Sequence, residues 1–187
     1  AMKRSFDLLL ASMLILILFI PMLLVSIGIK LSSDGPILFV SDRVGQNNHL
    51  FKMLKFRTMK IGTPTVASHL LIDPQNAVTP LGRFLRESSM DELPQIWNII
   101  QGHMSFVGPR PALFNQTELI ALRTEKSIDS LLPGLTGWAQ INGRDELTVF
   151  DKVSFDHEYL LKQSFNFDLK ILWLTYLKVL RKESVSH

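Results

Sequence analysis

Two adjacent carboxylates, Asp91 and Glu92, are the residues of this chain best suited to do chemistry. They lie in Arg86-Glu87-Ser88-Ser89-Met90-Asp91-Glu92-Leu93-Pro94-Gln95-Ile96-Trp97-Asn98, at the junction of two short segments of apolar periodicity. Ser89 and Glu92 have the spacing of a capping box, and Pro94 fits a first helical turn, so the pattern predicts a helix start there. Leu93, Ile96, Trp97 and Ile100 then recur at helical spacing until Gly102 ends the run. Carboxylates at a helix N-terminus face unpaired N–H groups and the positive end of the dipole. Taken alone, the stretch reads first as a well-capped helix.

Cations elsewhere change that balance. Residues 50–59 alternate as a strand that pairs with Ile37–Val40 in a hairpin, placing Lys55 and Arg57 on one face and Phe56 on the other. Two neighbouring cations on a strand form a solvated face or hold a diphosphate. Thr79 and Pro80 read as the cap and first residue of a helix on which Arg83 and Arg86 fall one turn apart. Pro109 and Pro111 hold Arg110 in an extended backbone, which suits bidentate phosphate recognition as well as it suits a plain surface turn. Arg144 follows Gly143 in another stretch rich in glycine. His157 lies in a helix predicted over Phe150 to Gln163; a lone helical histidine is more often a packing residue than a ligand.

These groups need elements to position them. A nearly continuous apolar run from Leu8 to Ile29 is long enough to enter or cross a bilayer. Pro21 interrupts it and should bend the helix. Lys3 and Arg4 at one end and Lys30 at the other favour a hairpin that keeps both ends on the cytoplasmic side over a straight span. Residues 60–78 read as a loop, Phe114 to Ser130 as an exposed polar helix, and Leu132 to Trp138 as a loop rich in helix breakers. Asp168 to Lys182 reads as a helix whose Trp173 and Tyr176 face either the core or a membrane surface. The expected fold is α+β and mostly α. A re-entrant membrane helix broken at Pro21 occupies residues 1–32, and a cytoplasmic domain with a short β-hairpin and amphipathic membrane-surface helices occupies residues 33–187.

With 187 residues, no cysteine and a net charge of +3, the chain carries neither a disulfide framework nor a cysteine-based zinc site. Its basic residues are dispersed rather than arranged in a stripe interleaved with aromatics, which argues against nucleic acid as a partner. Phosphate chemistry at a membrane fits these features. The residues alone leave phosphoryl transfer and non-catalytic binding of anionic lipid or nucleotide both open.

Longer blocks resemble the bacterial sugar transferases, the small monotopic phosphoglycosyl transferases. They are Lys3-Arg4-Ser5-Phe6-Asp7, Gly35-Pro36, Arg43-Val44-Gly45, Lys55-Phe56-Arg57-Thr58-Met59, Asp91-Glu92-Leu93-Pro94-Gln95 and Met104 to Pro111. Pro133 to Gln140 and Asn142-Gly143-Arg144 continue the match. The resemblance implies transfer of a sugar 1-phosphate from a UDP-sugar to undecaprenyl phosphate in the bacterial inner membrane, with UMP released. It implies Asp91 as nucleophile and magnesium ligand, Glu92 as its assistant, and Mg2+ bridging carboxylate and diphosphate. Lys55, Arg57, Arg86, Arg110, Arg144 and Asp156 are then expected as pocket or support residues. Ile20 stands before Pro21 where relatives commonly carry serine, which removes a hydroxyl that could serve the bend. Both N-acetylated hexosamines and a plain hexose remain open as the sugar. So do O-antigen, capsule and exopolysaccharide as the pathway, and a homodimer as the assembly.

Overall fold

The apolar run forms α1, Met2–Ser32, in the computed structural model, which describes residues 2–64, 74–143 and 146–181. By length and composition α1 could cross a membrane. The expected break at Pro21 does not divide it: Pro21 lies inside a single 31-residue helix. A proline deletes one backbone hydrogen bond and bends a helix without having to end it. Leu9, Leu16, Phe19, Ile20, Leu24 and Leu31 are exposed along α1, whereas Asp7, Ala11 and Ile29 are buried against the rest of the chain.

Polar contacts fasten both ends of α1. Lys3 Nζ pairs with Asp168 at 2.5 Å and donates to the Val107 carbonyl at 2.9 Å. Arg4 donates to the carbonyls of Ile99 and Ile100 at 2.5 and 2.9 Å. Asp7 accepts from Ser105 Oγ at 2.7 Å. At the far end, Arg57 donates to Ser33 O and Oγ at 3.0 and 2.9 Å, and to the Asp34 carbonyl.

Strands β1, Leu38–Val44, and β2, Leu50–Phe56, form an antiparallel hairpin with Leu38 opposite Phe56 and Val44 opposite Leu50. β1 runs past the expected Val40 because Ser41 to Val44 keep the alternation: Ser41 is buried, and Asp42 points out to Lys52 at 2.6 Å. Asn98 docks the hairpin, accepting from Leu54 N at 3.0 Å and donating to the Lys52 carbonyl at 2.8 Å.

A short helix, α2, Pro74–Ala77, precedes α3, Pro80–Glu87, whose Thr79 cap accepts from Gly82 N at 2.9 Å as the sequence predicts. The capping box expected at Ser89 and Glu92 does not form. Ser89 adopts left-handed backbone, φ 57°, and closes the end of α3; no side chain caps the following turn. Met90–Glu92 make one 3-10 turn, and α4, Gln95–Gln101, starts after Pro94 and stops at Gly102, φ 89°.

β3, Ser105–Val107, pairs in parallel with β4, Gly134–Thr136, inside the stretch expected to be a loop. A Cβ on Gly108 would lie 2.3 Å from the Leu132 carbonyl oxygen, so the two backbones meet at a distance only glycine allows. α5, Thr117–Glu125, is shorter than the expected helix to Ser130; Ser127 at φ 57° turns the chain into a 3-10 segment, Ile128–Ser130. It is not wholly exposed either, since Leu119 and Ile128 are buried. The remaining helices are α6, Trp138–Ile141, α7, Val149–Lys162, capped by Thr148, and α8, Phe165–Arg181. Lys182, placed in the last helix from sequence, lies outside the described residues. Ile96, Ile99, Met104, Phe106, Val153, Tyr159 and Ile171 make the core beneath the site.

Candidate active site

The turn between α3 and α4 sets Asp91 and Glu92 against β2. Lys55 projects from the buried-facing side of β2, the side that also carries Phe51 and Met53. Its Nζ lies 3.0 Å from Glu92 Oε1 and 3.9 Å from Asp91 Oδ2. Arg110 approaches from after β3, with Nη1 3.3 Å from the same Glu92 oxygen. Glu92 is therefore held between two cations. Asp91 is only 7% exposed and accepts no hydrogen bond among the described residues.

Electrostatics follow from this partial dryness. Burial pushes the Asp91 carboxyl above the usual carboxylate range; Lys55 opposes that shift, Glu92 adds to it, and Arg86 and Arg110 oppose it. Burial likewise lowers the Lys55 ammonium, against the pull of Glu92. Arg86, on α3, donates from Nε to Thr58 Oγ1 at 3.0 Å and feels the Asp91 charge. Lys55, Arg86 and Arg110 thus act on the two carboxylates, a surplus of positive charge that suits a multiply charged anion.

The remaining candidates divide. Arg57 does not join the carboxylates as the strand pattern predicts. β2 ends at Phe56, so the alternation stops one residue short and the Arg57 guanidinium turns to the carbonyls after α1. Asp156 is 1% exposed on α7 and touches neither carboxylate. It accepts from Arg123 Nε and Nη2 at 2.9 and 2.7 Å, while Arg123 Nη1 donates to the Arg110 carbonyl at 2.8 Å. Burial raises the Asp156 carboxyl and Arg123 opposes the rise. Asp156 is thus a support that acts through Arg123 on Arg110. Arg144 lies outside the described residues.

Two arginines escaped the sequence reading. Arg43 donates from Nη1 to the Pro111 carbonyl at 3.1 Å, and burial followed by the nearby Arg110 charge lowers its guanidinium to about 10. Arg43 and Arg123 therefore grip consecutive carbonyls, those of Pro111 and Arg110, and fix the backbone that carries the Arg110 guanidinium. Extending the β1 alternation past Val40 would have placed Arg43 on the inner face beside Ser41. Arg123 gave no local signal, because its partners lie 13 and 33 positions away.

No group of three or more metal-ligating side chains occurs among the described residues. The donor set fits magnesium nonetheless: Mg2+ asks for one or two carboxylates and takes its other ligands from phosphate oxygens and water. Among the described residues none donates a hydrogen bond to the Asp91 carboxylate, whereas Glu92 is already engaged.

A family model described as bacterial sugar transferase matches residues 1–182. The chain belongs to the bacterial sugar transferase family. This sugar transferase is 39% identical over 95% of its length to a protein of Escherichia coli K12 named UDP-glucose:undecaprenyl-phosphate glucose-1-phosphate transferase. It is 41% identical over 92% of its length to the undecaprenyl-phosphate glucose phosphotransferase of Komagataeibacter xylinus. It spans only 40% and 35% of those two relatives. The sugar transferase EpsL of Bacillus subtilis is 38% identical, with 98% of this chain and 90% of EpsL covered.

Proposed function

We propose that this sugar transferase moves a sugar 1-phosphate from a UDP-sugar to undecaprenyl phosphate, yielding a polyprenyl-diphosphate sugar and UMP. The observation that carries the reading is Asp91: a buried carboxylate with no hydrogen bond from the described residues, set among Lys55, Arg86 and Arg110. The names of the relatives supply the substrate class, and UDP-glucose is the first donor to try.

The chemistry runs in two displacements. A carboxylate oxygen of Asp91 forms a bond to the sugar-linked phosphorus, the diphosphate P–O bond breaks, and UMP leaves with its electron pair. An oxygen of the lipid phosphate then attacks the same phosphorus, and Asp91 leaves as a carboxylate. Lys55 and Arg110 neutralise charge that builds on the equatorial phosphoryl oxygens. Glu92 accepts the proton of the incoming lipid phosphate, held in place by the two cations that bind it. Magnesium, when bound at Asp91, supplies further neutralisation of the diphosphate.

We place the protein in the bacterial inner membrane, monotopic, with α1 bent at Pro21 and both its ends on the cytoplasmic face. Support comes from the contacts of α1: Lys3, Arg4 and Asp7 at one end and Ser33 at the other all bond to the globular part of the chain. Exposed Trp173, Tyr176 and Leu180 on α8, with Lys178 and Arg181 in its last turn, suit a helix lying on a membrane surface.

The test is a panel of UDP-sugars offered to the purified protein with magnesium, read as UMP release and as intact mass. A mass increase of one sugar phosphate without acceptor, discharged on adding undecaprenyl phosphate, is the expected result. An absence of both adduct and UMP across the panel, with acceptor present, overturns the reading.

A further inference from the structure

An apolar groove of about 770 Å³ lies between α1, the outer face of the hairpin and the start of α4. Its walls include Phe19 and Leu23 on α1, Leu38 and Leu54 on the hairpin, and Leu93 and Trp97 beside the catalytic turn. Ser26 is the one hydroxyl in its lining, and that hydroxyl is spent on the Met22 carbonyl at 2.7 Å. The groove therefore offers a ligand almost wholly apolar contact, the indole N–H of Trp97 being its one other polar side-chain group.

Its position tells what fills it. Leu93 follows Glu92, so the ion pair of Glu92 with Lys55 has an immediate chain neighbour in the groove wall, whereas Leu54 lines the groove from the face of β2 opposite to Lys55. The charged cluster and the apolar trough thus meet at the catalytic turn, where Glu92 and Leu93 are consecutive. An amphiphile that carries its phosphate directly on the end of an apolar chain matches that junction. A glycerophospholipid matches it less well, because glycerol and ester groups separate its phosphate from its acyl chains. On the α1 side the wall runs from Ile15 to Ser26, about 17 Å at the helical rise.

We infer that this groove holds the first isoprene units of the acceptor lipid and makes the transferase sensitive to acceptor chain length. The inference rests on the proposed reaction and adds where the lipid tail lies. The phosphate sits at Lys55 and Arg110, and the chain runs from there past Leu93 and Trp97 along α1. The groove opens beside a helix with exposed apolar side chains, so the lipid enters sideways from the bilayer.

The experiment compares undecaprenyl phosphate with geranyl phosphate, whose chain is well short of the α1 wall, using full-length protein charged with the donor found active in the panel. Trp97→Ala and Phe19→Ala are made on opposite walls. Both residues are more than half exposed, which limits the cost of the substitutions to folding. Phe19→Ala, on the α1 wall, is expected to lose tenfold or more in kcat/KM with undecaprenyl phosphate and less than twofold with geranyl phosphate, whereas Trp97→Ala, beside the catalytic turn, is expected to lose activity with both. Phe19→Ala losses that are equal for the two acceptors, or no loss in either variant, overturn the inference. A second measurement does not depend on variants: a diazirine-bearing polyprenyl phosphate should label peptides containing residues 15–26 and 93–97. Labelling confined to other segments, or displaced equally by phosphatidylglycerol, also overturns it. UMP release by the unmodified protein without acceptor keeps the two claims apart. Its presence beside an unchanged acceptor ratio defeats only the groove, whereas its absence across the panel defeats the reaction.

Discussion

Asp91 stands where its charge is penalised by burial and where no hydrogen bond from the described residues relieves the penalty. Replacing it with asparagine removes the nucleophile of the proposed reaction, so UMP release should fall by at least about 10³-fold. The same substitution should raise the Tm near pH 8. Because the native pKa is raised, the folded protein holds a proton that the unfolded chain has already lost, and stability falls as pH rises through that interval. Asparagine mimics the protonated form, so the gain in Tm should shrink as the pH drops toward the ordinary carboxylate range. Adduct formation by the unmodified protein has the opposite trend: it needs the ionised carboxylate and should decline as pH falls through the raised Asp91 pKa. Stopped-time intact mass against pH checks the one, and thermal melts of both proteins check the other. At this scale the sequence was most and least informative at once. The Asp91–Glu92 pair drew notice by its position but took its expected role from the family resemblance, whereas the capping box beside it failed because Ser89 ends one helix instead of starting the next.

Arg110 is aimed by elements far apart in the chain, and here the predictions concern supports. Arg123→Ala would leave Asp156 buried without its partner, at a cost of about 3–5 kcal/mol. Arg123→Lys keeps a charge but loses the fork that reaches Asp156 twice and Arg110 once; it should fold and yet lower kcat more than it raises KM for the donor. Unfolding curves and steady-state rates separate the two effects. Gly108→Ala forces β3 and β4 apart two residues before Arg110 and should cost about 1–3 kcal/mol together with most of the activity. Helices α1, α3, α7 and α8 and the hairpin were legible because period, caps and turns are local. The parallel β3–β4 pair was not: three-residue strands carry no period, and Ser105 finds its partner Gly134 only when the chain between them has folded. Arg57 misled for a related reason, since alternation says nothing about where a strand ends.

For the molecule as a whole, topology is the decisive matter. The chain has no cysteine, so single cysteines at Met2 and Leu31, both exposed, can be labelled without background. A membrane-impermeant maleimide should reach both from the cytoplasmic side in inverted vesicles. Labelling of the two from opposite sides would reject the monotopic arrangement. The sequence pointed to a bend through Pro21 and the flanking charges. What it could not convey is that the globular part reaches out to both ends of α1, because Lys3–Asp168 and Arg57–Ser33 are contacts between distant positions.

The hydrogen bonds from Arg4 to the carbonyls of Ile99 and Ile100 have a mechanical consequence. They clamp the membrane helix to one end of α4, and the carboxylate turn sits at the other end. In the proposed arrangement α4 therefore works as a ruler whose length sets how deep the reacting phosphorus lies relative to the bilayer. One alanine inserted within α4 would swing the turn by about 100° and displace it by about 1.5 Å. On the proposed reaction, this seven-residue helix is the gauge against which the lipid's phosphate is met.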